Sequence, residues 1–277
     1  LRAAPHYHRN PADPVMTPPR DITFVLTSCG RFDLLAETLR TFVACNTAPI
    51  ARWLVVEDSG REEVRDVVRG AGVPIELIVN DPPVGQMTSI DRAYATVDTP
   101  YIFHCEDDWR FFRSGFVEES LVLLETLAMV SAVMCRRPGQ NRLHDAIVGA
   151  AQLRTEGGVA CRLPERHAHD VWFGYGFNPG LRRLADARAI GSFAARGQEK
   201  HASLWFKRRG MGMAALEHPA CETTGHGQHV ADPAAAVDGG HAWRSRPPGN
   251  FEPPGSRNDP CPCGSGERYK LCHGLPP

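Results

Sequence analysis

The sequence predicts an α/β fold with a mostly parallel sheet of the doubly wound kind, on two observations. Short apolar runs alternate with segments of helical spacing over about 90 residues, the pattern of strand–helix–strand units. Each apolar run also ends in polar groups: Thr27-Ser28, Glu57-Asp58, Asn80-Asp81 and Glu106-Asp107-Asp108. Open sheets of this class bind ligands beyond the carboxyl ends of their strands, so a site is expected there.

The elements follow in order. Residues 1–20, LRAAPHYHRNPADPVMTPPR, are polar and proline-rich without periodicity and are expected to be a disordered lead-in. DITFVLTSCG supplies the first strand, and RFDLLAETLRTFVAC a helix, with Leu34, Leu35, Thr38, Leu39 and Phe42 at helical spacing. ARWLVVEDSG is a second strand, REEVRDVVRGAG a helix closed by Gly70 or Gly72, and PIELIVND a third strand. MTSIDRAYATV forms a helix before the fourth strand, PYIFHCEDDW, in which His104 and Cys105 are plain strand residues. A helix near 115–128 and a strand near 129–135 continue the pattern; 136–180 reads as irregular, and GQEKHASLWFKRRG (197–210) as a helix. Residues 231–256 have the composition of a linker, semi-stiff where proline is dense.

Composition sets the outer bounds. The 277 residues suit one large domain with a small appendage, and 42% hydrophobic content is enough for a sizeable core. A formal net charge of −1 gives no global field for nucleic acid or an anionic membrane, so neither is expected as a partner. No apolar run approaches the roughly 20 residues a bilayer-spanning helix needs. No secretory signal opens the sequence; it begins at Leu1 rather than Met, as a fragment or a chain with an unusual start codon would. Six cysteines lie singly along the first 221 residues and three crowd between 261 and 272, which is no disulfide framework and points to a reducing, cytoplasmic compartment.

The fourth strand ends in Glu106, Asp107 and Asp108. Carboxylates so crowded resist ionising together, and a divalent cation is the usual relief. The alternative is a solvated acidic loop.

With these motifs in hand, residues 21–230 resemble the GT-A glycosyltransferases (Rossmann-like, a mostly parallel sheet flanked by helices), in particular the large family 2 of nucleotide-sugar-dependent enzymes. FVLTSCGRFDLLAETL is similar to that family's opening strand and helix, which implies Thr27 and Arg31 near the nucleotide. LVVEDSG resembles the second strand, whose acids, here Glu57 and Asp58, hold the uracil or ribose. VGQMTSIDRAYATVDTPYI resembles the segment whose Asp91-Arg92 pair borders the donor. EDDW resembles the metal-binding DxD element, offering Glu106, Asp107 and Asp108 to Mn²⁺ or Mg²⁺ in a departure from strict D-x-D spacing. Gly197-Gln198-Glu199 resembles the family's later Gly-Glu-Asp-like motif, which makes Glu199 the expected general base of an inverting transfer, with Gln198 in place of one usual acid. A late histidine completes the metal shell in some GT-A enzymes, and His229, near His226 in ETTGHGQHVADP, sits about where it would be. The aromatic run DVWFGYGFNPG is either a stacking surface for an acceptor sugar or core beneath an irregular loop.

The tail carries a separate signal. Cys261-x-Cys263, eight intervening residues, then Cys272-His273 present the Cys₃His set that tetrahedral Zn²⁺ takes, and so short a peptide folds only with its metal. Residues 257–277 resemble the SEC-C motif, a zinc module found at the end of the bacterial preprotein translocase motor, which implies a structural or docking role toward a protein partner.

The expected function is thus a cytoplasmic, bacterial-type glycosyltransferase moving a hexosyl or related group from a nucleotide-diphosphate-sugar to an unidentified acceptor. Two alternatives stand beside it: an adaptor with an inactive GT-A domain that works through its zinc module, and a sugar-phosphate nucleotidyltransferase. The last usually needs a glycine-rich, basic loop after the first strand, where TSCGRFDLL has one glycine.

Overall fold

The computed structural model describes residues 21–136, 147–165 and 168–225, together with 256, 258, 259 and 268. The first half follows the sequence pattern closely. Strands β1 (Ile22–Ser28), β2 (Arg52–Glu57), β3 (Ile75–Val79) and β4 (Tyr101–Glu106) alternate with helices α1 (Phe32–Cys45), α2 (Val64–Gly70) and α3 (Gln86–Thr96). After β4 come a short strand β5 (Trp109–Phe111), helix α4 (Phe116–Thr126) and strand β6 (Val130–Met134).

Residues 136–180 depart from the irregular expectation. Strands β7 (Gln152–Glu156) and β8 (Val159–Leu163) form an antiparallel hairpin, and β9 (Gly180–Arg183) enters the sheet antiparallel between β4 and β6. Helices α5 (Leu184–Ala189) and α6 (Glu199–Arg208) follow, then β10 (Gly212–Leu216) and β11 (Cys221–Thr223). The nine-stranded sheet has the order β3-β2-β1-β4-β9-β6-β10-β8-β7, with β1 parallel to both β2 and β4, and β6 parallel to β10. Strands β11 and β5 make a separate antiparallel pair.

The strand period of two explains the layers. On β1, Phe24 and Leu26 face one core with Phe42, Phe103 and Phe116, while Val25 faces the other with Ile90, Tyr175 and Phe206. Helices α1, α2 and α4 cover the first face; α3, α5 and α6 cover the second. Phe42 lies 5.0 Å from Phe103 and 5.8 Å from Phe116, centroid to centroid. Burial of both faces accounts for the near-continuous apolar strands β1, β2 and β6. Gly180 is required where β9 wedges between its neighbours, because a Cβ there would overlap the Val133 carbonyl. Among the described residues no helix is long and apolar enough to cross a membrane.

The expected lead-in (1–20), most of the 231–256 linker and the zinc ligands Cys261, Cys263, Cys272 and His273 lie outside the described residues, as do His226 and His229.

Candidate functional site

Parallel pairing brings the carboxyl ends of β1, β2 and β4 side by side: Thr27 is in register with Glu106 and Val56, and Ser28 with Glu57. Thr27 is buried there. At this edge the acidic triplet divides in three directions.

Asp107, 1% exposed, turns inward to Arg31. Arg31 grips both of its carboxylate oxygens, with Nε 3.2 Å from Oδ2 and Nη2 on Oδ1, and Ser28 Oγ donates to Oδ2 at 3.1 Å. Burial pushes the Asp107 carboxyl up to about 6, against the pull of the Arg31 charge and its hydrogen bonds. Thr38 Oγ1 lies 2.8 Å from the carbonyls of Asp107 and Trp109 and accepts the Trp109 N–H, which locks the corner. Asp108 is more open and takes Arg31 Nη1 on Oδ2 at 3.0 Å. A protein cation therefore supplies part of the relief that the sequence reading assigned to a metal alone.

Glu106 faces the opposite way. Its Oε1 accepts Gln86 Nε2 at 2.7 Å, and its carboxyl lines a cleft of about 300 Å³ shared with Glu199, Arg136, Asn178 and Trp172. Burial first, then the charges of Asp108, Glu199 and Asp107, push Glu106 up to about 8. Glu199 opens helix α6, and its Oε1 accepts the Phe177 N–H at 2.8 Å. Burial raises Glu199, while that hydrogen bond and the charges of Arg182 and Arg136 pull it back. Across the cleft Arg136 Nη1 reaches Asn178 Oδ1 at 3.3 Å. A carboxylate that is partly desolvated yet held by a donor is the type of group that accepts a proton at neutral pH.

The acids after β2 are engaged internally. Glu57 is fully buried; its Oε1 accepts the N–H groups of Gly30 at 2.7 Å and Ser59 at 2.9 Å, tying the loops after β1 and β2 together. Its Oε2 is buried without a hydrogen-bond partner. Asp58 accepts from Asn80 Nδ2, Val84 N and Ser89 Oγ on one oxygen and from Gly85 N at 2.8 Å on the other, which shapes the entry to α3. Arg92 reaches this network through Asn80 Oδ1 at 2.5 Å. Asp91, by contrast, spends its oxygens on Ser192 Oγ and the backbone N–H groups of Phe193 and Ala194, and so fastens the turn before α6.

The aromatic run splits as well. Phe173, Tyr175 and Phe177 are core residues, and Phe173 lines the cleft together with Trp172. Sequence reading missed Gln86, Arg136 and Asn178, whose types carry no catalytic signature. It also missed Arg182, buried beneath the cleft. The alternation Tyr175-Gly176-Phe177 was the available sign that these two rings share one core, while Phe173 packs into another.

The chain returns to the acids at its far end. Strand β11 pairs with β5, Thr224 N donates to the Asp108 carbonyl at 2.8 Å, and Gly225 packs so tightly that a Cβ would overlap the Asp108 carboxylate. Among the described residues no three His, Cys, Asp or Glu side chains form a metal cage.

The chain resembles known proteins in two separate parts. Residues 257–275 match the SEC-C motif. Curated relatives include the protein translocase subunit SecA of Burkholderia mallei (strain NCTC 10229), 49% identical over 55 residues, which is 20% of this chain and 6% of that protein. SecA of Burkholderia orbicola (strain MC0-3) is 36% identical over 84 residues, 28% of this chain and 9% of that protein. The chain thus spans less than a tenth of the length of these relatives. In fold it is similar to the mannosyltransferase PcManGT of Pyrobaculum calidifontis, solved with GDP-Man and Mn²⁺, at a TM-score of 0.55 and 13% identity over 75% of this chain and 57% of that one. TarS 1-349 of S. aureus matches with a TM-score of 0.55 and 9% identity, over 74% of this chain and 60% of that one. The fold is accordingly the GT-A-like fold of these glycosyltransferases, followed by a C-terminal SEC-C motif.

Proposed function

We propose that this protein is a glycosyltransferase that moves a sugar from a nucleotide-diphosphate-sugar to an acceptor hydroxyl with inversion, using Glu199 as general base. The observation that carries the reading is the cleft past the end of β4, walled on its other side by Met134 of β6 and Met213 of β10, into which Glu199 and Glu106 both open, with Asp108 two residues beyond Glu106. In this reading the acceptor oxygen attacks the anomeric carbon, its proton passes to the Glu199 carboxylate, and the bond from that carbon to the diphosphate breaks. The Phe177 N–H orients the base throughout. Glu106, held by Gln86 and pushed up to about 8, is protonated at neutral pH and hydrogen-bonds the acceptor rather than competing for its proton.

The donor's diphosphate belongs against Asp108, Arg31 and the loop after β1, with the nucleoside over the Asp58–Asn80–Arg92 network. The residues present fit a hard divalent cation, since Asp108 offers a partly exposed carboxylate and such ions take only one or two protein carboxylates when phosphate supplies the rest. Asp108 would hold it, and His229 is proposed as a second ligand. Mn²⁺ or Mg²⁺ there would neutralise the leaving diphosphate; the similar mannosyltransferase was solved with Mn²⁺ and GDP-Man. Asp107 is assigned to Arg31 and Asp91 to the turn before α6, so neither is proposed as a ligand of metal or donor. At the tail, Cys261, Cys263, Cys272 and His273 are proposed to close a zinc site that docks a protein partner, in a cytoplasmic setting.

A panel of UDP- and GDP-sugars with and without Mn²⁺, read by thermal shift, tests the reading. A ligand that binds only the folded form raises the melting temperature, so Mn²⁺-dependent stabilisation by one donor is expected. A flat response to every donor would favour the adaptor reading, which draws support from the internal satisfaction of Asp58 and Asp107. The anomeric configuration of the product decides the stereochemistry, and a retained centre removes Glu199 from its role.

A further inference from the structure

Arg182 lies on β9, in register with Ile102 of β4 and Ala132 of β6, and is 1% exposed. A guanidinium buried this deeply ordinarily sits against a carboxylate, because an uncompensated charge in the interior is strongly unfavourable. Among the described residues Arg182 forms no ion pair. Its Nη1 meets Tyr94 Oη at 3.2 Å and its Nη2 donates to the Asn178 carbonyl at 3.1 Å. The guanidinium carbon stands 5.2 Å from the Tyr175 ring centroid and 5.9 Å from that of Phe177, and Nε has no hydrogen-bond partner. Its neighbour Arg183, in contrast, is paired with Asp186.

The same two-residue segment that receives Arg182 holds the proposed base. Phe177 donates its N–H to Glu199, and Asn178 takes Arg182 on its carbonyl and Arg136 on its side chain. We infer that Arg182 is a positioning residue for Glu199, fixing through the Phe177-Asn178 backbone the place at which that carboxylate meets the cleft. The inference rests on the reading of Glu199 as general base. The buried cation has a second effect by its charge alone: it favours the ionised form of Glu199, against the burial that opposes it. Tyr94 shares in this by holding one end of the guanidinium while its hydroxyl stays protonated, since burial raises it further.

The test uses the full chain with carboxyl-¹³C-labelled glutamate, the Glu199 resonance being assigned by its loss in Glu199→Gln. In Arg182→Met the Glu199 titration midpoint is expected to rise by about one pH unit, with a smaller rise in Arg182→Lys, which keeps the charge but not the two-pronged grip. An unmoved midpoint in a folded Arg182→Met protein overturns the inference; should Arg182→Met fail to fold, the same reading is taken from Arg182→Lys against Tyr94→Phe. Failure of the base assignment shows separately, as Glu199→Gln protein that still releases nucleoside diphosphate from the donor found in the thermal-shift panel. In that case the titration still decides the Arg182–Glu199 coupling.

Discussion

Arg31 and Asp107 form a buried, two-pronged ion pair that joins the start of α1 to the end of β4, residues 76 apart in sequence. Removing the Asp107 carboxylate takes away both prongs but leaves Arg31 its bond to Asp108. Asp107→Asn, which loses both prongs at a buried position, is therefore expected to lower the unfolding free energy by about 1–3 kcal/mol, and Asp108→Asn, which loses a single bond, by less. The ranking should reverse for Mn²⁺-dependent donor stabilisation, which Asp108→Asn abolishes. Denaturant unfolding and thermal shift on the two variants give both answers, and equal stability losses would contradict the division of roles.

Glu106 makes stability depend on pH. Its folded value of about 8 lies above the ordinary 4.5, so the folded state binds the proton more tightly than the unfolded chain. That contribution is fully present below about pH 4.5 and is lost as pH rises through 8. In chelator-treated protein, unfolding free energy should fall by roughly 2 kcal/mol between about pH 6 and pH 8. Glu106→Gln should flatten the decline; a wild-type slope in that variant would place the proton elsewhere.

Asp58 carries the backbone between β3 and α3. Replacing it with Ala leaves the Val84 and Gly85 N–H groups without their acceptor, a loss of about 2–3 kcal/mol where buried groups are orphaned. Hydrogen exchange at these two amides should accelerate by at least tenfold, while amides in the centre of β1 slow or quicken only with global stability. Unchanged protection at 84 and 85 would mean the loop is held by other contacts.

The tail should hold one zinc ion independently of the GT-A-like domain. Cys261→Ser or Cys272→Ser is expected to remove bound zinc, measured by elemental analysis, because a module this short has no other source of folding energy. The main melting transition should move by less than about 2 °C. A shift comparable to that of Asp107→Asn would tie the module into the domain.

The first four strands and their helices were legible because each is a plain apolar run or an amphipathic stripe between clear breaks. The direction of each acid was not. Strand alternation ends at Glu106, and past it Arg31, from a distant helix start, decides that Asp107 points in. Strand β7 escaped notice because its residues QLRTE are almost all exposed at the sheet edge, with no buried face to impress a period. Strand β9 is only four residues long and carries two arginines, a composition that reads as surface. Arg182 is buried there only because the strands on either side come from remote parts of the sequence. Of the residues at the candidate site, Glu199 and Asp108 lie in motifs that the sequence displays, whereas Gln86 and Asn178 are amides whose roles depend wholly on what they face.

Gly225 fixes a point of departure. With its backbone pressed on Asp108 and Thr224 bonded to that residue's carbonyl, everything downstream is measured from the acid itself. Four further residues lead to His229, and a fully extended chain gains at most about 3.6 Å per residue. The Cα of the histidine proposed for the donor-site ion is thereby held within about 14 Å of the Gly225 Cα. Residues inserted between Gly225 and His229 would loosen that tether, and on the proposed reading weaken Mn²⁺ binding, without altering a described contact in the sheet.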